Sequence, residues 1–162
     1  MDIVADSGPL ISCARAHKLT LIRDVYSKIV IPPSVYREIV TEGAGKPGAE
    51  EIEAAVSVWV AIKKPENMSS VVNLRQGLGP GETEAIALAK ELGGYILIDE
   101  KSGIKEAREL GLRIKSTLLM LLEAKEQGLI SSVKMELDEL IDSGFRCSDD
   151  LYQKTLALSN EL

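Results

Sequence analysis

Short apolar runs alternate with longer amphipathic segments along most of the chain. The apolar runs predict strands at residues 2–5, 28–31, 58–62, 95–98 and 112–114. Helical spacing predicts helices between them, the clearest at 82–92, which follows a polar connection and a glycine-rich turn at 77–81. Because strands alternate with helices, we expect an α/β fold: a three-layer α/β/α sandwich with a central parallel sheet of four to five strands.

The chain after residue 130 has a different pattern. Residues 131–143 and 148–158 predict two helices with no further strand, and Ser148 has the side chain of a helix N-cap. We therefore expect an α/β domain over residues 1–130 and a helical C-terminal extension over 131–162, packed on the same domain. Such helices would cover a sheet edge or form an oligomer contact, and we expect a homodimer or a higher oligomer.

The composition favours one compact, soluble protein. With 162 residues, 45% of them hydrophobic, the chain can bury a sizeable core. The net charge of −6 argues against a uniformly basic nucleic-acid-binding surface, although bound cations invert the field of an acidic site. Cys13 and Cys147 form no metal-binding or disulfide pattern, and no signal-like or membrane-spanning segment is evident. These features predict a cytoplasmic location.

Acidic residues follow two of the predicted strands at the point where each strand ends. Asp6 follows the first strand and Asp99 the fourth, while Glu38 and Glu82 lie early in predicted helices. The carboxyl ends of parallel strands form one edge, where α/β proteins bind their ligands. Two carboxylates about 4 Å apart repel by roughly 4 kcal/mol at an effective dielectric of about 20, so such a cluster needs a cation. Oxygen ligands favour Mg²⁺ or Mn²⁺.

Three further polar residues are candidates for supporting roles around this cluster. The buried stripe of the helix 82–92 places Glu82 nearer the core and Glu84 further toward solvent, so Glu84 is a rival and a candidate for the outer shell. Ser7 lies beside Asp6 and can hold a carboxylate or donate to a phosphate. Glu100 follows Asp99 and points elsewhere unless a turn brings it inward.

A stripe of cations follows Asp99. Lys101, Lys105 and Arg108 recur at helical spacing and would stack on one face of their predicted helix. The stripe has the chemistry to bind an RNA backbone, although an ordinary solvated helix face explains the same pattern.

Four motifs occur in order along the chain. They are Val4-Ala5-Asp6-Ser7-Gly8-Pro9-Leu10, Ile31-Pro32-Pro33-Ser34-Val35-Tyr36-Arg37-Glu38, Gly79-Pro80-Gly81-Glu82-Thr83-Glu84-Ala85-Ile86 and Ile98-Asp99-Glu100. The ordered set resembles the PIN domain family, in the prokaryotic branch with an added helical tail. The resemblance spans nearly the whole chain and includes Gly144-Phe145-Arg146 and the segment 148–152.

The resemblance implies a metal-dependent nuclease. It suggests an α/β/α sandwich that uses Mg²⁺ or Mn²⁺ to hydrolyse single-stranded RNA, often as the toxin of a toxin–antitoxin pair with an antitoxin protein as partner. The family's catalytic and metal-binding acids correspond to Asp6, Glu38, Glu82 and Asp99. Many members have Asp at the third position and a second Asp after the fourth, so Glu82 and Glu100 depart from the pattern.

Two other function classes stay open. The net acidity and the departure at Glu82 are compatible with a catalytically weak PIN-like module that binds RNA or protein. A phosphatase or phosphoryl-receiver protein shares acids at strand ends, but the chain lacks an evident Asp-x-Asp nucleophile pair.

Overall fold

A computed structural model describes residues 2–71 and 77–162. Within these residues the strands are β1 Ile3–Ala5, β2 Ile29–Ile31, β3 Val60–Ile62, β4 Tyr95–Leu97 and β5 Arg113–Lys115. All pair in parallel, in the order β3-β2-β1-β4-β5. The predicted fold class, a parallel sheet with helices on both faces, is confirmed.

Helices connect these strands and continue beyond the last one. They are α1 Ser7–Arg15, α2 Leu19–Tyr26, α3 Pro33–Tyr36, α4 Ala49–Ala55, α5 Pro80–Leu92, α6 Lys101–Glu109, α7 Thr117–Glu126, α8 Val133–Asp142 and α9 Asp149–Leu158. A π-helical turn, Arg37–Thr41, continues α3 directly, and a short 3₁₀ turn spans Ser69–Val71. No helix among the described residues is both long enough and apolar enough to cross a membrane.

Alternate side chains of the strands point into two separate cores. Ile3 and Ala5 of β1 face a core shared with α1, α2, α7 and α8, whereas Val4 faces the core that α5 and α6 cover. Both cores are apolar, so the three central strands β2, β1 and β4 are hydrophobic at every position, whereas the edge strand β5 carries Arg113 and Lys115. This explains why continuous apolar runs, and not alternating ones, mark the strands in the sequence.

The strand order reverses at β1, and this creates the crevice that matters for function. The chain leaves β1 toward β2 on one side and later returns on the other side, where β4 pairs with β1. The backbone N–H of Asp6 still donates to the carbonyl oxygen of Leu97, at 3.0 Å, so the ends of the two strands stay together. Ligands of open α/β sheets bind at such a switch point.

The C-terminal helices pack on α1 and α7. Val133, Leu137 and Leu140 of α8 are buried in the first of the two cores. The ammonium of Lys18, just after α1, pairs with both Glu136 and Glu139 of α8. These contacts fix where the segment between α8 and α9 lies relative to the sheet.

The ends of some predicted elements differ from the structure; α8, for example, begins at Val133 and not at residue 131. The third strand begins at Val60 and not at residue 58, because Ser57 has a positive φ of 68° in a turn that leaves Val58 79% exposed. Helix α5 begins at Pro80, two residues before the predicted start, since a proline is well suited to the first helical turn. The polar connection predicted before it lies partly outside the described residues.

Candidate active site

One cavity of about 470 Å³ lies at the carboxyl edge of the sheet. Four acids from separate segments of the chain line it: Asp6 after β1, Glu38 in the π-helical turn, Glu82 in α5 and Asp99 after β4. Ser7 and Glu100 line the same cavity. The structure therefore brings together all four acids that the sequence singled out, along with two of the three candidates for supporting roles.

Asp6 is the most buried of the four acids. It precedes α1 directly, is 4% exposed, and its Oδ1 has no hydrogen-bond partner among the described residues. Burial is the largest cause that raises the pKa of Asp6 to about 7; the charges of Glu82, Glu38 and Asp99 contribute to this rise, and the Ser7 backbone N–H opposes it. Near neutral pH this carboxyl therefore carries its charge at a high energetic cost.

Asp99 is held firmly by the start of α7. The backbone N–H of Thr117 donates to its Oδ1 at 2.8 Å and the Thr117 hydroxyl donates to its Oδ2 at 2.6 Å. Burial raises the pKa of Asp99, while both Thr117 hydrogen bonds lower it. Thr117 follows β5, which pairs with β4, so it lies at the same edge of the sheet as Asp99, although sequence analysis assigned it no role.

Glu38 lies in the π-helical turn Arg37–Thr41 and lines the cavity. The sequence pattern placed Glu38 away from the apolar face of its helix, and the structure shows that this side of the helix faces the acids. The Ser7 hydroxyl donates to Glu38 Oε2 at 2.8 Å. Gly81 leaves room for this carboxylate, since a Cβ atom at position 81 would lie 2.1 Å from Glu38 Oε1.

Within the described residues, Glu82 contributes one partnered and one unpartnered carboxylate oxygen to the cavity. Glu82 lines the cavity: its Oε1 accepts from the Gly79 N–H at 3.3 Å, and its Oε2 is buried with no partner among residues 2–71 and 77–162. Burial raises the pKa of Glu82, the Gly79 N–H lowers it, and Glu100 and Glu38 raise it.

The prediction that Glu84 points toward solvent was wrong. Glu84 is half-buried and accepts from the backbone N–H and the hydroxyl of Ser34, at 3.3 and 2.6 Å. It is not among the residues lining the acidic cavity. Helix α5 is buried on most of its surface, so a single apolar stripe was a poor guide to the direction of this side chain.

The cations that line the cavity are not those of the predicted basic stripe. Lys101, Lys105 and Arg108 are exposed on α6 and do not contribute to the cavity wall, which instead contains Arg15 of α1 and Arg146. Arg146 lies in the Gly144-Phe145-Arg146 motif that carried part of the resemblance. Sequence reasoning assigned no role to either arginine, and only the packing of α8 against α1 brings them to one place.

Comparison with known proteins identifies the family. A family model described as PIN domain matches residues 2–161, nearly the whole chain. The chain belongs to the PIN domain family. A comparison of this PIN domain with curated proteins finds no match. Among solved structures, a PilT N-terminus domain protein from the hyperthermophilic archaeon Sulfolobus solfataricus P2 is similar, with 19% identity and a TM-score of 0.47 over 91% of this chain and 98% of that one.

The acids of this PIN domain fit a hard divalent cation in chemistry but are not arranged as a finished cage. Their donors are all oxygen atoms, and two buried oxygens, Asp6 Oδ1 and Glu82 Oε2, have no partner in the described part of the chain. In that same part, no three Asp, Glu, His or Cys side chains are arranged so that they could hold one ion as they stand. Mg²⁺ commonly takes only one or two protein carboxylates and retains water, so a complete cage is not required.

Proposed function

We propose that this PIN domain is a Mg²⁺- or Mn²⁺-dependent endoribonuclease that hydrolyses phosphodiester bonds of single-stranded RNA. The observation that carries the proposal is the convergence of Asp6, Glu38, Glu82 and Asp99 on one cavity at the switch point of the sheet. Buried carboxylates without partners are costly, and a cation offsets that cost. The family of the chain, for which nuclease chemistry is the general expectation, supports the same reading.

The residues have distinct roles in this proposal. Asp6 and Asp99 would hold the ion directly, and Glu38 and Glu82 would complete its surroundings or orient water. When bound, such an ion supplies a Lewis acid that activates water and neutralises the charge developing on the phosphate. Water adds to phosphorus, the bond from phosphorus to the 3′ oxygen breaks, and the products carry 5′-phosphate and 3′-hydroxyl ends.

The remaining side chains hold these acids in place. The Ser7 hydroxyl orients Glu38, and Thr117 orients Asp99 through both of its carboxylate oxygens. Glu100 adds negative charge at the cavity wall. These contacts fix the carboxylates before an ion arrives, which reduces the reorganisation that binding requires.

The test is cleavage of labelled single-stranded RNA by the purified protein with Mg²⁺ or Mn²⁺. The variants Asp6→Asn and Asp99→Asn should lose activity by at least about a hundredfold, because each removes a carboxylate that stabilises charge. Glu109→Gln is the matched control, since Glu109 is an exposed acid of α6 that does not line the cavity. Equal activity in wild type and both Asn variants would rule out the proposed mechanism.

A catalytically weak RNA- or protein-binding module is the second candidate. One observation favours it: no three acidic, imidazole or thiol groups of the described residues are arranged to hold an ion as they stand. This candidate predicts salt-sensitive RNA binding without turnover in either ion. Turnover that the Asn variants abolish would reject it.

The toxin role belongs to the same proposal and is tested separately. Expression of the wild-type protein should arrest cell growth, and Asp99→Asn should relieve the arrest. Relief by a small protein encoded beside it would identify the antitoxin. Growth unaffected by an RNA-cleaving protein would refute the toxin role alone.

A further inference from the structure

We propose that Arg15 and Arg146 bind backbone phosphates of the polynucleotide, on the side of the cavity that the C-terminal extension forms. This inference rests on the proposed nuclease function and names the substrate-holding residues of the same site. It differs from the sequence-based expectation, in which Lys101, Lys105 and Arg108 steer the RNA.

Within the part of the chain that the structure describes, the two arginines have no ionic partner although acids line the same cavity. Five carboxyl side chains line the cavity, those of Asp6, Glu38, Glu82, Asp99 and Glu100. Within residues 2–71 and 77–162, neither Arg15 nor Arg146 forms a hydrogen bond or an ion pair with any of them. Both side chains are exposed, so both guanidinium groups are available to an anion from solution.

An anionic substrate needs these cations. Each phosphate of an RNA strand that approaches the cavity meets the negative field of the acids, and one divalent ion offsets only part of it. A guanidinium presents a planar fork of donors that matches two phosphate oxygens, which makes arginine well suited to phosphate recognition. Among the described residues that line this cavity, the cations are Arg15 and Arg146.

The C-terminal extension sets the position of Arg146. At the end of α8, the N–H groups of Gly144 and Phe145 donate to carbonyl oxygens of the helix, at 3.0 Å each. The Phe145 ring packs against the first core and anchors the segment. Gly144 has a φ of +109°, which lets the chain turn beside Arg15, and a Cβ atom at position 144 would lie 3.9 Å from Arg15 Nη1. The extension thus places Arg146 near Arg15.

A second cavity suggests the direction in which a bound RNA strand would continue beyond the acids. It has a volume of about 430 Å³, shares Arg15 and Glu38 with the acidic cavity, and is also lined by Glu42 and Lys46. Arg15 therefore lies where the two cavities meet. A strand that passes from the acids into this second cavity would place a phosphate beside Arg15 and a later one near Lys46, whereas the exposed stripe of α6 contributes to neither cavity.

The experiment compares Arg15→Gln, Arg146→Gln and the double variant with wild type. Lys154→Gln is the matched control, since Lys154 is an exposed cation of the same extension that lines neither cavity. Binding of a labelled single-stranded RNA is measured in Ca²⁺, which would bind the acids in place of Mg²⁺ without supporting efficient cleavage. Cleavage is measured in Mg²⁺. Thermal melting checks that each variant is folded.

We expect each single Gln variant to weaken RNA binding by roughly tenfold, because a charge-assisted hydrogen-bond pair is lost. The dependence of log Kd on log salt should become shallower by about 0.7 for each variant, as expected when one phosphate contact on a single strand disappears. The loss should appear mainly in KM. Arg15→Lys should recover only part of the affinity, since the ammonium lacks the planar fork.

A substrate scan separates contact from indirect effects. In a set of oligonucleotides, one phosphate at a time is replaced by a neutral methylphosphonate. If Arg15 contacts a phosphate, replacing that one phosphate should weaken RNA binding by the wild type and leave RNA binding by Arg15→Gln unchanged. If Arg15 has only a structural role, no single phosphate position should behave in this way. If the wild-type protein cleaves RNA, and both Gln variants bind and cleave RNA as well as the wild type does, this inference alone is overturned. Wild type that neither binds nor cleaves RNA would overturn the proposed function and this inference with it.

Discussion

In the absence of divalent ions, the substitution Asp6→Asn should make the protein more stable at neutral and alkaline pH. Asp6 is 4% exposed and its Oδ1 has no partner among the described residues, so folding places a charge where little compensates it. Asparagine has nearly the same shape, keeps an acceptor for the Ser7 N–H and carries no charge. The substitution should therefore remove the penalty without opening a cavity.

The magnitude follows from the pKa of Asp6. Burial raises this pKa from 3.8 to about 7. Below a pH of 3.8 the carboxyl is protonated in both the folded and the unfolded protein and does not destabilise the fold. The penalty grows as the pH rises and is complete above the folded-state pKa. At 1.36 kcal/mol for each tenfold change in the proton-binding constant, the full penalty is about 4 kcal/mol. We expect Asp6→Asn to be more stable than wild type by up to that amount at about pH 8, and nearly equal at about pH 4.

The assay is urea unfolding of both proteins in EDTA across this pH range, with Glu109→Gln as a charge-matched control. A second arm adds Mg²⁺, which should stabilise wild type by about 2.7 kcal/mol at a hundred times its Kd and should stabilise the Asn variant far less. If the stability difference between wild type and Asp6→Asn does not grow from about pH 4 to about pH 8, the account of Asp6 as an uncompensated buried charge is refuted.

Three other substitutions test how the acids and Arg146 are positioned. Thr117→Val should lower the free energy of unfolding by about 1–3 kcal/mol and reduce RNA cleavage, because Thr117 is buried and the substitution leaves Oδ2 of the half-buried Asp99 without its hydroxyl donor. Unchanged unfolding and cleavage would contradict this. Gly81→Ala should abolish cleavage, because the alanine Cβ would lie 2.1 Å from Glu38 Oε1, even though alanine favours a helix more than glycine does. An active variant would show that Glu38 can move freely. Lys18→Met removes the ion pairs of Lys18 with Glu136 and Glu139, so it should loosen α8, displace Arg146 and raise the KM for RNA. Urea unfolding and steady-state kinetics measure the two effects. An unchanged KM in a destabilised variant would show that α8 does not position Arg146.

Much of the fold follows from local sequence patterns. β1, β2, β4 and β5 lie within one residue of the predicted ends, because their apolar runs are short and are bounded by turn residues. The alternation of strands and helices then restricts the sheet to parallel pairing with acids at one edge. β3 was predicted too long, since Val58 and Trp59 are apolar but lie in a turn whose geometry depends on Ser57.

The parts of the site that the sequence did not predict depend on tertiary contacts. Glu38 lies in a π-helical turn that the sequence pattern did not predict, and its hydrogen bond from Ser7 joins two distant segments. The hydrogen bonds of Thr117 to Asp99 and of Ser34 to Glu84 join distant segments. Arg15 and Arg146 are separated by most of the chain and meet only because α8 packs on α1. Residue type alone could mark acids at strand ends, but not the cations opposite them.

The arrangement of donors around the acids favours binding over stability. Ser7, Thr117 and the N–H of Gly79 fix Glu38, Asp99 and Glu82 in place, yet none of them supplies a full positive charge. A site selected only for stability would pair these carboxylates with Arg15 or Arg146, which line the same cavity. Instead the acids and the arginines remain separate, and each set is left to bind something of opposite charge. Under the proposed function, a cation held by the acids and a phosphate held by the arginines would together satisfy both sets, which neither ligand would do alone.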